Sequence, residues 1–298
     1  MQQILWGVLG LLILAGTIIC ALALYGAHTI TRRRAPDEVD SPANYGLDYQ
    51  AVAFASRDGL TLRGWFIPAS LACGTVIFCH GHSGSMDPDL KYAPAFHRHG
   101  YNLLLFDFRA HGRSDGDLVS MGSVEQLDLL GAVDWLAGQG IRRAGVLGFS
   151  MGGRVAISTA PQTEAIIAVV SDGSPASMTQ AVAAGSSERG LPDFLAGLVA
   201  RLTLWLAGLR LGCHLGGADA RHWVSRLAPR ALLLIHGGRD PYTSTEDVQS
   251  LFASAGEPKE LWIVPEAGHR QIDDYHPDEY LERVIGFFDR HLAEKVKG

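Results

Sequence analysis

Short apolar runs alternate with helix-length segments over most of the chain after residue 48. The runs lie at 51–56, 60–67, 75–79, 102–108, 144–149, 165–170, 231–235 and 261–264. Continuous apolar strands separated by helices are typical of a parallel sheet with helices on both faces. The pair Asp58-Gly59 between the first two runs suits a tight antiparallel turn. We therefore expect a mostly parallel α/β sheet that begins with an antiparallel hairpin.

Three local signals predict where helices begin. Ser123-x-x-Gln126 and Thr243-x-x-Glu246 fit the capping box, in which a hydroxyl and a carboxylate or amide satisfy the first free N–H groups. Pro277 suits a first helical turn, and a final helix over about 277–295 would close the fold.

About 60 residues separate the sixth apolar run from the seventh, which is too long for a loop in a compact domain. We expect an inserted helical cap at about 173–229. Its middle part, 191–212, is mostly apolar. Two ordinary packing helices with no role over a site are the alternative.

Charged side chains within that middle part argue against a second membrane span. Asp193, Arg201 and Arg210 interrupt it, and the two arginines lie on opposite sides of a helix at about 100° per residue. The pattern therefore predicts a broken helical cap, with breaks near Gly197 or Gly208.

The first part of the chain carries its longest uncharged segment. Residues 4–25 form 22 consecutive residues without a charge, enough for a helix of roughly 33 Å that crosses a bilayer. A buried core helix and a cleaved signal peptide are the alternatives. The signal peptide is disfavoured because Met1-Gln2-Gln3 is uncharged and the apolar run is long. We predict one transmembrane anchor within residues 1–31.

Three arginines follow the apolar segment, and nothing basic precedes it. The positive-inside rule then places Arg32, Arg33 and Arg34 and the rest of the chain in the cytoplasm. Residues 35–46 contain Pro36, Pro42, Gly46 and acids between them without periodicity, which predicts a linker over 32–47. The folded domain is expected over 48–298.

Composition excludes several function classes. The 298 residues are 47% apolar and 19% charged, which fits one large α/β domain or two small ones. Beyond the three arginines, 22 basic side chains face 31 acidic ones, a poor balance for nucleic-acid binding. The four cysteines have no metal-ligand or disulfide-scaffold spacing, so neither a zinc site nor a disulfide scaffold is indicated.

A nucleophile motif follows the fifth apolar run. Gly148-Phe149-Ser150-Met151-Gly152 fits G-x-S-x-G between a strand and a segment that can open a helix. The glycines are needed because the serine of such an elbow lies in a crowded, strained turn. Ser150 as an ordinary helix N-cap is the alternative.

With this motif the sequence resembles the α/β-hydrolase family from about residue 51 to the C-terminus. His80-Gly81-His82-Ser83-Gly84-Ser85 looks like the family's HG-x segment, and 106–114 is similar to its D-x-R-G-x-G-x-S loop, with Ala110 where glycine is usual. The resemblance implies an α/β-hydrolase fold with a helical cap. It also implies an oxyanion hole built from the backbone N–H groups of His82 and Met151.

The resemblance also implies the acid and the base. Asp240 lies in His236-Gly237-Gly238-Arg239-Asp240, which looks like the family's HG-x-x-D segment, and His269 lies in a G-H pair after the last strand. Asp172, at the end of the sixth run, is a rival acid, because some family members carry it there. The expected triad is Ser150, Asp240 and His269, whose loops meet at one edge of the sheet.

The expected function is a serine hydrolase that cleaves carboxylic esters through an acyl-enzyme, with lipid-like esters or thioesters as candidate substrates. A membrane-anchored serine peptidase and a catalytically silent binding protein on the same fold are the alternatives. The expected partners are a small-molecule or lipid-like ester and the membrane through residues 4–25, without nucleic acid. The expected mechanism needs no metal or organic cofactor. The oligomeric state is not predicted.

Overall fold

Strands form at all eight apolar runs in the computed structural model, which describes residues 1–292. They are β1 (Gln50–Ala55), β2 (Thr61–Ile67), β3 (Gly74–Cys79), β4 (Tyr101–Phe106), β5 (Ala144–Phe149), β6 (Ile166–Asp172), β7 (Ala231–Gly237) and β8 (Lys259–Val264). They make one sheet in the order β1-β2-β4-β3-β5-β6-β7-β8. Only the β1–β2 and β2–β4 pairs are antiparallel. The predicted mostly parallel sheet with an antiparallel start is confirmed.

In the described part of the chain, one helix precedes the sheet, others connect the strands from β3 to β8, and two follow β8. They are α1 (Gln2–Thr31), α2 (Ala93–Arg98), α3 (Gln126–Gly138), α4 (Met151–Thr159), α5 (Met178–Ser187), α6 (Asp193–Leu211), α7 (Ala220–Trp223), α8 (Thr245–Ser254), α9 (Ile272–Tyr275) and α10 (Pro277–His291). Short 3₁₀ turns lie at Pro42–Tyr45, Asp87–Tyr92, Ala160–Gln162, Leu215–Ala218 and Val224–Arg226.

Two hydrophobic cores lie on the two faces of the sheet. Alternate side chains of β3 divide between them: Ile77 and Cys79 join one core, and Val76 and Phe78 join the other. The first core includes apolar residues of α3, α4 and α8, and the second includes those of α2, α9 and α10. Both faces are covered, as expected for a parallel sheet.

The start of α3 differs from the prediction. The helix begins at Gln126, and Ser123 does not cap it; the Ser123 hydroxyl donates instead to the Leu215 carbonyl at 3.1 Å. The buried Glu125 carboxylate accepts from the Gly122 N–H at 2.7 Å and so holds the preceding turn. The predicted Ser123–Gln126 cap is therefore absent, because Ser123 bonds to Leu215 and the Glu125 carboxylate binds the turn before the helix.

The last two helix starts lie closer to their predictions. The cap of α8 is Ser244, one residue after Thr243, and its hydroxyl accepts from the Asp247 N–H at 3.1 Å. Pro277 opens α10 as predicted. The predicted end of that helix near Lys295 lies outside the described residues.

The insertion between β6 and β7 carries α5, α6 and α7, but the predicted breaks in its long helix are wrong. The helix α6 runs without interruption through Gly197 and Gly208. A side chain at Gly208 would lie 2.8 Å from the Cys213 carbonyl, so this glycine permits the chain to turn back closely. The helix ends at Gly212, whose φ of 65° is the left-handed conformation typical of a helix stop.

Two helices among the described residues are long and apolar enough to cross a membrane, α1 and α6. Most of α1 is exposed, and only its last part is buried: Ala23 and Ala27 lie against α6, and the Thr31 carbonyl accepts from the Val119 N–H at 2.9 Å. The length of α1 fits the predicted apolar segment.

The segment 32–47, predicted as a linker, lies against the domain. The Arg33 guanidinium donates to the carbonyls of Gly112, Ser114 and Gly116 at 2.6 to 3.0 Å. The Arg34 N–H donates to the Ala110 carbonyl at 2.8 Å. The basic residues after α1 therefore satisfy loop carbonyls as well as adding positive charge.

Candidate active site

Ser150 lies in the sharp turn between β5 and α4, with φ 50° and ψ −112°. This backbone is strained for a residue with a side chain and is the geometry of a nucleophile elbow. A Cβ at Gly152 would lie 1.9 Å from the Cys79 carbonyl, and one at Gly148 would lie 2.5 Å from the backbone of Gly153. Only glycine fits these two positions, which explains the motif.

The predicted triad residues meet at the carboxyl edge of the sheet. His269 Nε2 lies 3.0 Å from Ser150 Oγ, and His269 Nδ1 lies 2.7 Å from Asp240 Oδ2. The serine makes no helix-cap bond through its side chain, so the N-cap interpretation does not describe it. A hydroxyl, an imidazole and a carboxylate thus form one hydrogen-bonded chain.

Solvent reaches the imidazole more than the carboxylate. The His269 side chain is 21% exposed, whereas the Asp240 side chain is 0% exposed. The free oxygen of Asp240 accepts from the Tyr242 N–H at 2.8 Å. The Tyr242 ring packs edge-on against the His269 ring, with centroids 4.9 Å apart. The acid is thus fixed in place while the base faces the opening.

The rival acid, Asp172, lies nearby at the end of β6 but makes no hydrogen bond to the histidine. Its Oδ2 accepts from the Tyr280 hydroxyl at 2.9 Å, and its Oδ1 has no partner among residues 1–292. Burial raises the pKa of Asp172 to about 6. The geometry therefore pairs His269 with Asp240.

The loop after β3 passes directly over the serine. A Cβ at Gly81 would lie 3.5 Å from the Ser150 Cβ. Within residues 1–292 the main-chain N–H groups of His82 and Met151 donate to no other protein group. These two donors, predicted to form the oxyanion hole, are free to bind an anion.

The side chain of His82 turns away from the serine toward the end of α1. Its Nε2 lies 2.9 Å from the Ile30 carbonyl and 2.8 Å from Arg34 Nη2. Burial, with a smaller effect of the Arg34 charge, lowers the pKa of His82 to about 3, so the ring is neutral. If Nε2 carries the proton it donates to the Ile30 carbonyl, and if it does not it accepts from Arg34, so both tautomers bond to the segment at the end of α1.

The other motif histidines hold loops by hydrogen bonds. His80 Nε2 accepts from the Phe108 N–H at 2.9 Å, and its Nδ1 lies 2.7 Å from the Gly81 carbonyl. His111 Nε2 lies 3.0 Å from the His82 carbonyl. His236 is buried beside the triad, and burial lowers its pKa. None of the three contacts Ser150 Oγ.

Sequence reasoning missed Arg270, which directly follows the histidine. Its backbone has φ 55°, and its guanidinium stacks on the Phe149 ring at 4.2 Å and pairs with the buried Asp89. Burial opposes its charge, but Asp89 and Asp172 outweigh this effect and keep the pKa of Arg270 raised. Its position next to the G-H pair was a signal, but nothing in the sequence identified Asp89 as its partner.

Comparison with known proteins agrees with the fold described above. A family model described as alpha/beta hydrolase fold matches residues 74–222. The esterase Pf2001 of Pyrococcus furiosus superposes with a TM-score of 0.72 and 28% identity, over 88% of this chain and 99% of that one.

Two curated relatives match similar shares of the chain. The uncharacterized protein Rv2307c of Mycobacterium tuberculosis is 30% identical over 225 residues, 73% of this chain and 71% of that protein. The uncharacterized protein YfhR of Escherichia coli is 27% identical over 247 residues, 80% of each chain.

Proposed function

We propose, since this chain belongs to the α/β-hydrolase family, that it is a serine esterase acting through Ser150, His269 and Asp240. The observation that carries the proposal is the hydrogen-bonded chain from Ser150 Oγ through His269 to Asp240. The name of the Pyrococcus furiosus protein, an esterase, supports the same reaction class.

The chemistry begins with proton transfer to the imidazole. A serine hydroxyl is a weak nucleophile, so His269 Nε2 takes the proton of Ser150 Oγ as this oxygen attacks the ester carbonyl. Asp240 holds the ring in the required tautomer and stabilises the imidazolium that forms. His269 then protonates the leaving alcohol, and the acyl group remains on Ser150. Water activated by His269 finally releases the acid.

The negative charge on the tetrahedral oxygen requires donors that are already in place. The N–H groups of His82 and Met151 are assigned this role, and each such donor contributes roughly 2.7–4 kcal/mol where one has been removed in another hydrolase. The first turn of α4 begins at Met151, so the helix dipole adds to the same effect.

We also propose that α1 anchors the enzyme in a membrane, with the catalytic domain in the cytoplasm. The contacts of the end of α1 with the domain support a retained anchor, because a cleaved signal peptide has no need to pack on the mature protein. Thr203 Oγ1 lies 3.4 Å from the Ala23 carbonyl, and the Ile30 carbonyl contacts His82. An anchor beside the site favours amphiphilic esters or thioesters as substrates.

The test is labelling of the full chain by a fluorophosphonate probe. The native protein is expected to label, while Ser150→Ala and His269→Ala are not, and their kcat for p-nitrophenyl esters is expected to fall by about four orders of magnitude or more. Ser174→Ala is the matched control. Its hydroxyl donates to the Ser150 carbonyl at 2.9 Å, whereas the two nitrogens of His269 bond to Ser150 and Asp240, so labelling is expected to persist.

A pair of substrates with one acyl group separates the bond types. The p-nitrophenyl ester is expected to be hydrolysed, and the p-nitroanilide is expected to stay intact. Because serine peptidases also cleave activated esters, it is hydrolysis of the p-nitroanilide, at whatever rate relative to the ester, that would identify a peptidase. A folded native protein that never labels would point to a silent binding protein and end the enzyme proposal.

A further inference from the structure

The outer face of the cap helix α6 is apolar and uncovered by the rest of the domain. Its exposed large side chains are Phe194 at 82%, Leu198 at 53%, Trp205 at 60% and Leu209 at 63%. At about 100° per residue, these four positions fall within about 60° of the helix circumference. Arg201 lies in the same stripe and is also exposed. A contiguous exposed face of this kind marks an interaction surface.

The opposite side of α6 packs against the end of α1. Thr203 contacts Ala23, and a Cβ at Gly26 would lie 2.9 Å from Thr203 Oγ1, so the two backbones approach closely. Ala27 shares a small apolar cluster with Ala207. Small residues that allow such an approach are typical of helix pairs in membranes.

Further along the same pair, Arg210 Nη1 lies 3.0 Å from His28 Nδ1. Partner positions thus increase together along both helices, and the helices run in the same direction. Residues of α6 before Thr203 therefore extend toward the part of α1 that is proposed to enter the bilayer.

The connections of α6 exclude a second crossing of the membrane. The preceding helix α5 ends at Ser187, and the N–H of its first residue, Met178, donates to Asp219 at 3.1 Å. Asp219 follows α6, and the end of α5 that precedes α6 lies beside the domain residue Tyr242, because a Cβ at Gly185 would lie 3.5 Å from that ring; both ends of α6 are therefore tied to one domain on one side. A spanning helix would place its ends on opposite sides of the bilayer.

We infer that the outer face of α6 lies in the membrane–water interface beside α1, with a lipid bilayer as its partner. The inference rests on the proposed anchoring by α1. Phe194 and Leu198, which lie before Thr203 on the bilayer side, would enter the upper acyl region. Leu209 lies near the level of His28, beyond the apolar segment of α1, and would face the headgroups. Trp205 suits the headgroup level. Arg201 can extend its guanidinium to lipid phosphates while its stem stays apolar.

This position brings the candidate active site to the membrane surface. On one flank, α5 packs on α6, and a Cβ at its Gly185 would lie 3.5 Å from the Tyr242 ring that covers His269. On the other flank, Ile30 at the end of α1 contacts His82. Both flanks of the site therefore connect to the membrane-facing helices, and an amphiphilic ester has a short route from the bilayer.

The first experiment measures depth in the full chain reconstituted in vesicles of phosphatidylcholine and phosphatidylglycerol. The three cysteines that are not fully buried are replaced by serine, namely Cys20, Cys73 and Cys213. Cys79 is fully buried and can remain. Single sites are introduced by Leu12→Cys in α1, Leu198→Cys in α6 and Ser250→Cys on the exposed side of α8, and each carries a nitrobenzoxadiazole label.

Quenching by lipids that are spin-labelled on the acyl chain reports contact with the bilayer. Strong quenching at positions 12 and 198 but not at 250 is expected. Quenching at 12 without quenching at 198 overturns the inference for α6 and leaves the anchor intact. Absence of quenching at 12 overturns the anchor and, with it, the inference. A label at 198 that is shielded from both iodide and spin-labelled lipid indicates a second copy on this face and also overturns the inference.

The second experiment measures activity. The double variant Phe194→Ser and Leu198→Ser is expected to hydrolyse vesicle-borne esters about tenfold more slowly, because its helix binds the interface less well. Hydrolysis of a short water-soluble ester by this variant is expected to stay unchanged. Leu71→Ser, which removes an apolar side chain 91% exposed outside the cap, is the matched control and is expected to change neither rate. An equal loss on both substrates would contradict a membrane role.

Discussion

The carbonyl of Ile30 lies 2.9 Å from Nε2 of His82. This contact joins the end of the apolar helix α1 to the loop whose backbone N–H is assigned to the oxyanion hole. Because that N–H acts only when the loop is held in place, the end of α1 is part of the support of the site.

His82→Ala tests this support. The variant keeps the main-chain N–H but loses the ring that bonds to Ile30 or Arg34, so the loop is held less firmly. We expect kcat for a short ester to fall between about tenfold and a hundredfold, which is less than the removal of a donor itself. The value of KM is expected to change little. His97→Ala is the control, since that ring contacts the Pro68 carbonyl instead, and its kcat should stay native. A native kcat in His82→Ala would refute the supporting role.

Asp240 and Asp172 are distinguished by amide substitution. Asp240→Asn removes the partner that fixes the His269 tautomer, and we expect kcat/KM to fall by about four orders of magnitude. Asp172→Asn leaves the His269 partner in place and is expected to lower kcat/KM by about tenfold at most. Steady-state rates on one p-nitrophenyl ester decide the matter. The opposite ranking would identify Asp172 as the acid.

Asp172 also predicts a pH dependence of stability. Its folded pKa is raised to about 6 by burial, and by Asp273, against the opposing effects of Arg270, Tyr280 and His269. The unfolded carboxyl titrates near pH 4. The contribution of this group to the free energy of unfolding is therefore greatest below pH 4, decreases as the pH rises toward 6, and is absent at higher pH.

The variant Asp172→Asn does not ionise and should not show this fall, which amounts to about 2–3 kcal/mol. Melting temperatures of both proteins in detergent at pH 4 and pH 7 provide the measurement. The melting temperature of the variant, relative to that of the native protein, is expected to rise between pH 4 and pH 7. A constant difference between the two proteins would contradict the raised pKa.

A buried ion pair connects the elbow helix to the cap. Arg154 of α4 is fully buried, and its Nη1 donates to Asp219 at 3.0 Å. Burial lowers the pKa of Arg154 to about 10. Asp219→Ala leaves this charge without a partner, which is expected to lower the free energy of unfolding by about 3–5 kcal/mol.

The double variant Arg154→Met and Asp219→Ala has no buried charge to compensate, so it is expected to be more stable than Asp219→Ala alone. Thermal melting of the three proteins checks this. Equal melting temperatures for the single and double variants would show that the loss comes instead from the other partners of Asp219, the Met178 N–H and Arg221.

The sequence by itself determined the features that depend on neighbouring residues. Apolar runs and their spacing predicted the six strands from β3 to β8, because a parallel strand covered on both faces is apolar almost throughout. The Asp58-Gly59 turn between two further apolar runs predicted the antiparallel β1–β2 hairpin. The glycines of the elbow motif marked Ser150, because the crowded turn excludes side chains there. The turn after each later strand supplied Asp240 and His269, since the carboxyl ends of parallel strands share one edge.

Only the tertiary structure decided the contacts between residues far apart in the chain. The break predicted in α6 failed because the helix is stabilised by packing on α1 and α5, which local sequence does not encode. The pairing of Arg270 with Asp89 and the contact of His82 with Ile30 join segments separated by 181 and 52 residues. The sequence offers many carboxylates and carbonyls that could accept such a hydrogen bond, and the folded backbone determines which one lies within reach.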